Sequence, residues 1–207
     1  AIYYNNAPSN NSADAAADWG YEVTTLYIQD EFNVSDNLEL MAGLRYDRYT
    51  SDDSPETNAT FLADYGFSNG ITVDGKSLVQ PRFGFTYTLN DRTKVRGGVG
   101  LYSGGNPNVW LSNNYSNNNV LQFGQRGRSF GYTNGSRSLF DADVVYAGVE
   151  AGLPAGPGYG IPQELYDAVA GGVGSNFEIN YLDPNFELPS DWKAAIGVTH
   201  QVDDTLT

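Results

Sequence analysis

The chain has 207 residues, with 25 acidic against 11 basic side chains, a formal charge of −14 and no cysteine. That balance excludes nucleic-acid binding, which needs Lys and Arg to displace phosphate counterions. The missing cysteines exclude disulfides, thiol nucleophiles and thiolate-held zinc or iron–sulfur centres. Mean hydropathy is −0.41, and no run approaches 18 apolar residues, so a transmembrane helix is excluded as well. A transmembrane barrel escapes that test, because its strands show lipid only on every second residue. The 24 Gly, 15 Tyr and 14% aromatic content suit extended strands joined by turns.

Residues 1–20 are polar and Ala/Asn-rich without a clear period, and read as part of a loop. A first strand is expected over about 21–34, ending at the turn Ser35-Asp36-Asn37. A second follows over 38–50, with Leu38, Leu40, Ala42, Leu44 and Tyr46 on one face and Glu39, Met41, Gly43, Arg45 and Asp47 on the other. After a connection at 51–77, strands are expected at 78–89 and 93–104, separated by Asn90-Asp91-Arg92. Counting back from that turn sets Arg96 opposite Thr86 and Gly98 opposite Gly84. A connection over 105–189 leads to a fifth strand at 191–202 and the turn Asp203-Asp204. A connection that long should carry its own structure. Asn134-Gly135 predicts a small hairpin between Ser129–Thr133 and Ser136–Phe140. Pro162 and Gly171-Gly172 bracket a short helix over 161–169.

Tight turns at one end and long acidic connections at the other are the wiring of a transmembrane β-barrel. About 12 residues at roughly 3.3 Å each, tilted by about 45°, cover about 28 Å, close to the hydrocarbon thickness of a bilayer. The fold class expected is all-β. It is an antiparallel up-and-down meander of about five long strands, a partial barrel whose long extracellular loop holds the hairpin and the helix. The same alternation fits a soluble β-sandwich or a lipocalin-type barrel, with the apolar face turned inward. Without an initiator Met, and stopping three residues past a turn, the chain reads as a piece of something longer.

Several stretches resemble the barrel domain of TonB-dependent outer-membrane receptors. Tyr27-Ile28-Gln29-Asp30-Glu31-Phe32 with Leu38-Glu39-Leu40-Met41-Ala42-Gly43-Leu44-Arg45-Tyr46-Asp47 is similar to a recurring family hairpin, with Phe32 where Trp is common. Pro81-Arg82-Phe83-Gly84-Phe85-Thr86-Tyr87 and Val95-Arg96-Gly97-Gly98-Val99-Gly100-Leu101-Tyr102-Ser103-Gly104 resemble the strands that follow it. Asn106-Pro107-Asn108-Val109-Trp110-Leu111-Ser112-Asn113 and Leu182-Asp183-Pro184-Asn185-Phe186-Glu187-Leu188-Pro189-Ser190-Asp191-Trp192 resemble the Oar-like subgroup, whose members carry a carboxypeptidase-regulatory-like domain. The resemblance implies capture of a small ligand at the extracellular loops and uptake energised by the TonB complex, acting through a plug domain that this stretch does not contain. Outer-membrane lipid would surround the barrel. A passive porin and a soluble carbohydrate-binding or adhesin sandwich are the rival readings.

Candidate site residues follow from this layout. Trp110, Tyr115, Phe123 and Tyr132 are candidate stacking residues at the barrel mouth, although packing within the loop explains them equally well. Arg45, Asp47, Arg82 and Arg96 fall on the luminal face, where they would contact a plug or ligand, or brace the wall by ion pairing. His200 is the only histidine, faces outward by parity and lacks a partner for metal or acid–base chemistry. Asp30 sits among outward Leu26, Ile28 and Phe32, so either a bulge re-aims it or it lies among headgroups. Asp52, Asp53 and Glu56, and Asp141, Asp143 and Glu150, lack calcium-loop spacing and read as a solvated surface. Neither a catalytic constellation nor a cofactor or metal site is expected, so an enzyme is not. Expressed alone, a barrel sector should need detergent to stay dispersed, whereas a sandwich would be a monomer in water with one cooperative unfolding transition. Sedimentation with and without detergent separates the two.

Overall fold

The computed structural model describes residues 3–131, 144–145, 161–172 and 178–203. In chain order the elements are β1 (Tyr3–Asn6), β2 (Glu22–Ser35), β3 (Leu38–Thr50), α1 (Ala59–Tyr65), β4 (Ser77–Asn90), β5 (Thr93–Ser103), α2 (Asn108–Ser116), β6 (Phe123–Arg126), β7 (Val144–Val145), β8 (Ile161–Pro162), α3 (Gln163–Ala170) and β9 (Ser190–His200). They fall into two compact units. One takes Tyr21–Asp52, Val73–Pro107 and Phe186–Thr207; the other takes Ala1–Gly20, Asp53–Thr72 and Asn108–Asn185.

The first unit is a five-stranded antiparallel meander in the order β2-β3-β4-β5-β9. The strands lie within two residues of where alternation sets them, and Arg96 faces Thr86 as Gly98 faces Gly84. Register converts alternation into two faces. Phe32 pairs with Leu40, Leu40 with Phe85, Phe85 with Gly97 and Gly97 with Ile196, which makes one apolar row across all five strands. One residue along, Glu31, Met41, Gly84, Gly98 and Ala195 form a row on the opposite face. Gly97 is required by its neighbour: a Cβ there would run into the Phe85 ring, which lies across it.

The apolar face is uncovered, with Leu26 65%, Ile28 72% and Ile196 78% exposed. A water-soluble sandwich buries this face under a second sheet, so that reading fails. β2 and β9 are each paired on one side only among the described residues. Five strands are fewer than the eight of the smallest membrane barrels, so the sheet is a sector whose closure needs further strands.

The two described turns share one construction. Ser35 Oγ accepts from the Asn37 N–H at 3.3 Å, and Asn90 Oδ1 accepts from the Arg92 N–H at 3.0 Å. A ladder shift accompanies each, between Asn33 and Ser35 and between Thr88 and Asn90. The side-chain acceptor closes the turn, and the bulge adds the local twist that two long strands need. β2 is otherwise in unbroken register, with Asp30 opposite Ala42. No bulge re-aims Asp30, so it stays on the apolar face beside Phe32. β9 ends at His200, two residues before the expected boundary, and Asp204 of the third turn lies outside the described residues.

The second unit gathers the long connections. Residues 1–20, expected as loop, supply β1, which pairs antiparallel with β6. One side of that ribbon packs Tyr4 and Phe123 against Leu165 and Val169 of α3. Helix α3 fills the span expected from Pro162 to Gly171. α1 and α2 were not expected. α1 is capped by the Asn58 side chain, which accepts from the Phe61 N–H at 3.0 Å, and it ends at Gly66 with φ 76°. That Asn-start and Gly-stop signature is present in the sequence. α2 has no apolar stripe, so periodicity offers nothing to find it by. Of the expected Asn-Gly hairpin, Ser129 and Phe130 lie in a 3₁₀ turn, Gly127–Phe130; the stretch 132–140 is outside the described residues.

Asparagine side chains stand in for secondary structure in this unit. Asn69 Oδ1 accepts from the Asn58 N–H at 2.8 Å, Asn58 Nδ2 donates to the Asn118 carbonyl at 3.0 Å, and Asn114 Nδ2 donates to the Ile71 carbonyl at 2.7 Å. All four asparagines are buried, and each amide satisfies backbone that irregular chain would leave unpaired.

The two faces of β9 respond differently to charge. Ile196→Arg should destabilise the full-length barrel by about 2–4 kcal/mol, as a cation facing lipid does. Ala195→Arg, one residue along on the polar face, should cost under about 1 kcal/mol. Reversible unfolding in lipid vesicles checks the difference, and equal costs would reverse the assignment of faces.

Candidate functional site

Five of the chain's eleven basic residues, Arg45, Arg82, Lys94, Arg96 and Lys193, share the polar face of the sheet with Glu31, Glu39, Asp47 and Asp191. The densest cluster lies toward the strand ends away from the tight turns. Arg45 and Asp47 are two residues apart on β3 and therefore point the same way. Arg45 Nε donates to both carboxylate oxygens of Asp47, at 3.0 and 3.1 Å. Asp47 Oδ1 also accepts from Thr25 Oγ1 of β2 at 2.7 Å, and Oδ2 accepts from Gln80 Nε2 of β4 at 2.6 Å. Gln80 Oε1 in turn accepts from the Ser103 N–H of β5 at 3.0 Å. One polar chain thus crosses four strands.

Asp47 is 4% exposed and Gln80 1%, so their bonds form away from water. Each oxygen of the Asp47 carboxylate is taken up by donors, which makes it a fixed structural charge rather than a proton carrier. Nearby, the Tyr49 hydroxyl donates to Asn106 Oδ1 at 2.7 Å. Tyr21, just before β2, stacks on Tyr49 with centroids 5.6 Å apart, and burial pushes its phenol above the usual value, keeping it neutral.

These residues border a cavity of about 480 Å³ that also takes in Arg82 and Tyr102. The Arg82 guanidinium carbon lies 4.8 Å from the Tyr102 ring centroid and Lys193 Nζ lies 5.6 Å from it. Arg82 Nε is buried without a hydrogen-bond acceptor among the described residues. Beside the Asp47 network the arrangement is chemically a polar wall with a cationic corner.

The structure therefore brings Arg45, Asp47 and Arg82 to one cavity. Arg96 lies apart from it, with Nη2 donating to Thr199 Oγ1 at 2.8 Å across the β5–β9 ladder. Gln80 was not among the candidate site residues expected on the luminal face, and nothing local in the sequence singles it out. Its role depends on which strand faces β3, which parity alone does not specify.

The aromatic candidates separate. Trp110 is exposed on α2. Tyr115 is not at an open mouth: it is buried, stacks on Trp19 at 5.0 Å, and its hydroxyl donates to the Asp53 carbonyl at 2.8 Å. Phe123 is likewise buried, in the packing between β6 and α3. Both large rings are held by the unit's own interior, where burial of apolar surface dominates. Tyr132 lies outside the described residues. His200 Nδ1 is 2.9 Å from Thr93 Oγ1 across the ladder.

A sheet with an exposed apolar outer face and a charged, hydrogen-bonded inner face defines a membrane β-barrel. The chain belongs to the outer membrane beta barrel domain family, whose model matches residues 3–207. No curated protein and no solved structure matches it. The protein is accordingly one of the bacterial outer membrane, with lipid against the apolar face.

Gln80→Leu removes both partners of a buried relay, leaving the Ser103 N–H and one Asp47 oxygen short of a bond. Asp47 Oδ2 keeps its bond from Arg45 Nε, so at about 1–3 kcal/mol for a buried group left unsatisfied the loss should be about 1–3 kcal/mol in reversible unfolding of the barrel. Thr88→Leu, on the same polar face but toward the tight turn, should change little.

Proposed function

We infer that this chain is a sector of a TonB-dependent receptor, which captures a small ligand at its extracellular connections and imports it with energy from the TonB complex. The reading rests on five strand motifs similar to that family, in the family's order. The observation that carries it furthest is the inner wall. It carries charges of both signs, and a hydrogen-bonded chain through Thr25, Asp47, Gln80 and the Ser103 N–H ties four strands together, which suits a wall that must stay rigid around a removable plug. A freely permeable pore asks less of its wall, where charge serves to tune selectivity.

The partners that follow are TonB, through a plug domain elsewhere in the receptor, and a ligand that first meets the long connections. Catalysis is not part of the proposal. Within the polar cavity, the carboxylate and amide groups are already committed to one another, and no nucleophile sits beside a free base.

Planar-bilayer recording and TonB binding test this on the full-length protein. A plugged receptor should show no steady conductance in KCl and should bind the purified C-terminal domain of TonB. A steady ohmic conductance without TonB binding would establish a passive porin and overturn the proposal.

A further inference from the structure

We propose that the ribbon β1–β6 and the chain around 117–122 and 178–180 form a binding site for an uncharged oligosaccharide. This deepens the receptor reading by naming the class of ligand captured, and it rests on the long connections being the capturing part.

The site is a cavity of about 670 Å³, within the range of roughly 300–1,000 Å³ typical of small-ligand sites. Its chemistry differs from that of most such pockets. Side-chain amides dominate the lining, from Asn5, Asn117, Gln122 and Asn180 among others, and its few apolar contributions come chiefly from Tyr3 and Ile179. An amide pairs a carbonyl acceptor with an NH₂ donor at fixed separation. A sugar hydroxyl both donates and accepts, so adjacent hydroxyls match that pairing. A peptide ligand would want pockets for alternate apolar side chains, and the cavity offers none of consequence.

The amides are held in place before any ligand arrives. Asn5 Nδ2 donates to Gln122 Oε1 at 2.8 Å, and Gln122 Nε2 donates to the Ser116 carbonyl at 2.8 Å. The Asn180 N–H donates to the Asn117 carbonyl at 2.9 Å, which ties together the two stretches of backbone that carry those residues to the cavity. Such preorganisation lowers the entropy lost on binding.

An aromatic platform accompanies them. Tyr3 is 58% exposed and lies over Gly124, where a Cβ would overlap the phenol oxygen. Only glycine there lets the ring lie against β6 and offer its face to the C–H side of a sugar. Alternation along the ribbon explains why Tyr3 and Asn5 face the cavity while Tyr4 and Asn6 are buried beneath.

Charge favours a neutral ligand. Arg126 and Glu178 border the cavity and neutralise each other, Nη2 to Oε1 at 3.4 Å. Glu178 makes this contact from a left-handed backbone, φ 59°, and Asn119 on the same wall has φ 53°. Side-chain-bearing residues seldom hold that conformation, and it concentrates at binding sites. Over the whole unit, twelve acidic side chains stand against three basic ones, a net charge of −9. That field repels acidic polysaccharides and nucleotides.

The test is glycan binding by the full-length receptor in detergent, on an array of neutral glucans, mannans, galactans and xylans beside polygalacturonate. At least one neutral oligosaccharide should bind, and polygalacturonate should not. Tyr3→Ala and Gln122→Ala should each weaken that binding at least tenfold; Gly124→Ala should weaken it by displacing the ring, and Tyr3→Phe should retain it. Absence of any neutral-glycan binding, or binding indifferent to Tyr3→Ala and Gln122→Ala, overturns the proposal, and so does preference for a peptide library. Variants are scored only when they reach the outer membrane in heat-modifiable form. Binding is read without TonB or energy, so its failure leaves the conductance and TonB results standing, and theirs leaves it standing.

Discussion

Inside a bilayer no water is available to hydrogen-bond the backbone, and each unsatisfied N–H or C=O costs several kcal/mol. The ladders from β2 to β9, interrupted only by the shifts beside the two tight turns, answer that constraint, and much else follows from them. Continuous pairing forces period-two geometry, which sorts side chains into a lipid-facing and an inward face. It leaves β2 and β9 each wanting a neighbour among the described residues, which makes the sheet a sector. At the two tight turns the chain closes on itself, with Ser35 and Asn90 side chains supplying the acceptors.

The inward face obeys the same rule at the level of side chains. Asp47 is tolerable at 4% exposure because three strands send donors to it. Removing any one would leave a buried charge incompletely paired, which is why the network spans strands rather than staying local. The connection-built unit applies the principle a third time. With little helix or strand to satisfy its backbone, it buries asparagine amides as substitutes. The abundance of asparagine and the irregular course of the connections are therefore one fact seen twice. The amide-lined cavity beside β1 and β6 uses the same residue type at the surface, where its donors and acceptors face outward.

Much of the sheet was legible in the sequence because alternation, turn residues and strand length all derive from local geometry. Leu38 to Tyr46 on one face and Glu39 to Asp47 on the other is a local fact. The inner site was half legible: parity put Arg45, Asp47, Arg82 and Arg96 on one face, but Gln80, which joins Thr25 and Arg45 as a donor to Asp47, is brought there by register across a 26-residue connection. Tyr115 and Phe123 went to the interior because a large ring in a connection looks the same in sequence whether it meets ligand or core. α1 had a readable cap and stop at Asn58 and Gly66, whereas α2 lacks the stripe by which a helix shows itself.

The sequence by itself determined the strands, their two faces, the tight turns and the membrane class, since each depends on spacing along one chain. Only the tertiary structure decided that β1 pairs with β6, 117 residues away by the Asn5–Gln122 bond. It also decided which aromatics are interior, and which of many amides converge on a cavity. Those outcomes turn on contacts between segments far apart in the chain. Composition supplies candidates for such contacts, and only the closing of long loops selects among them.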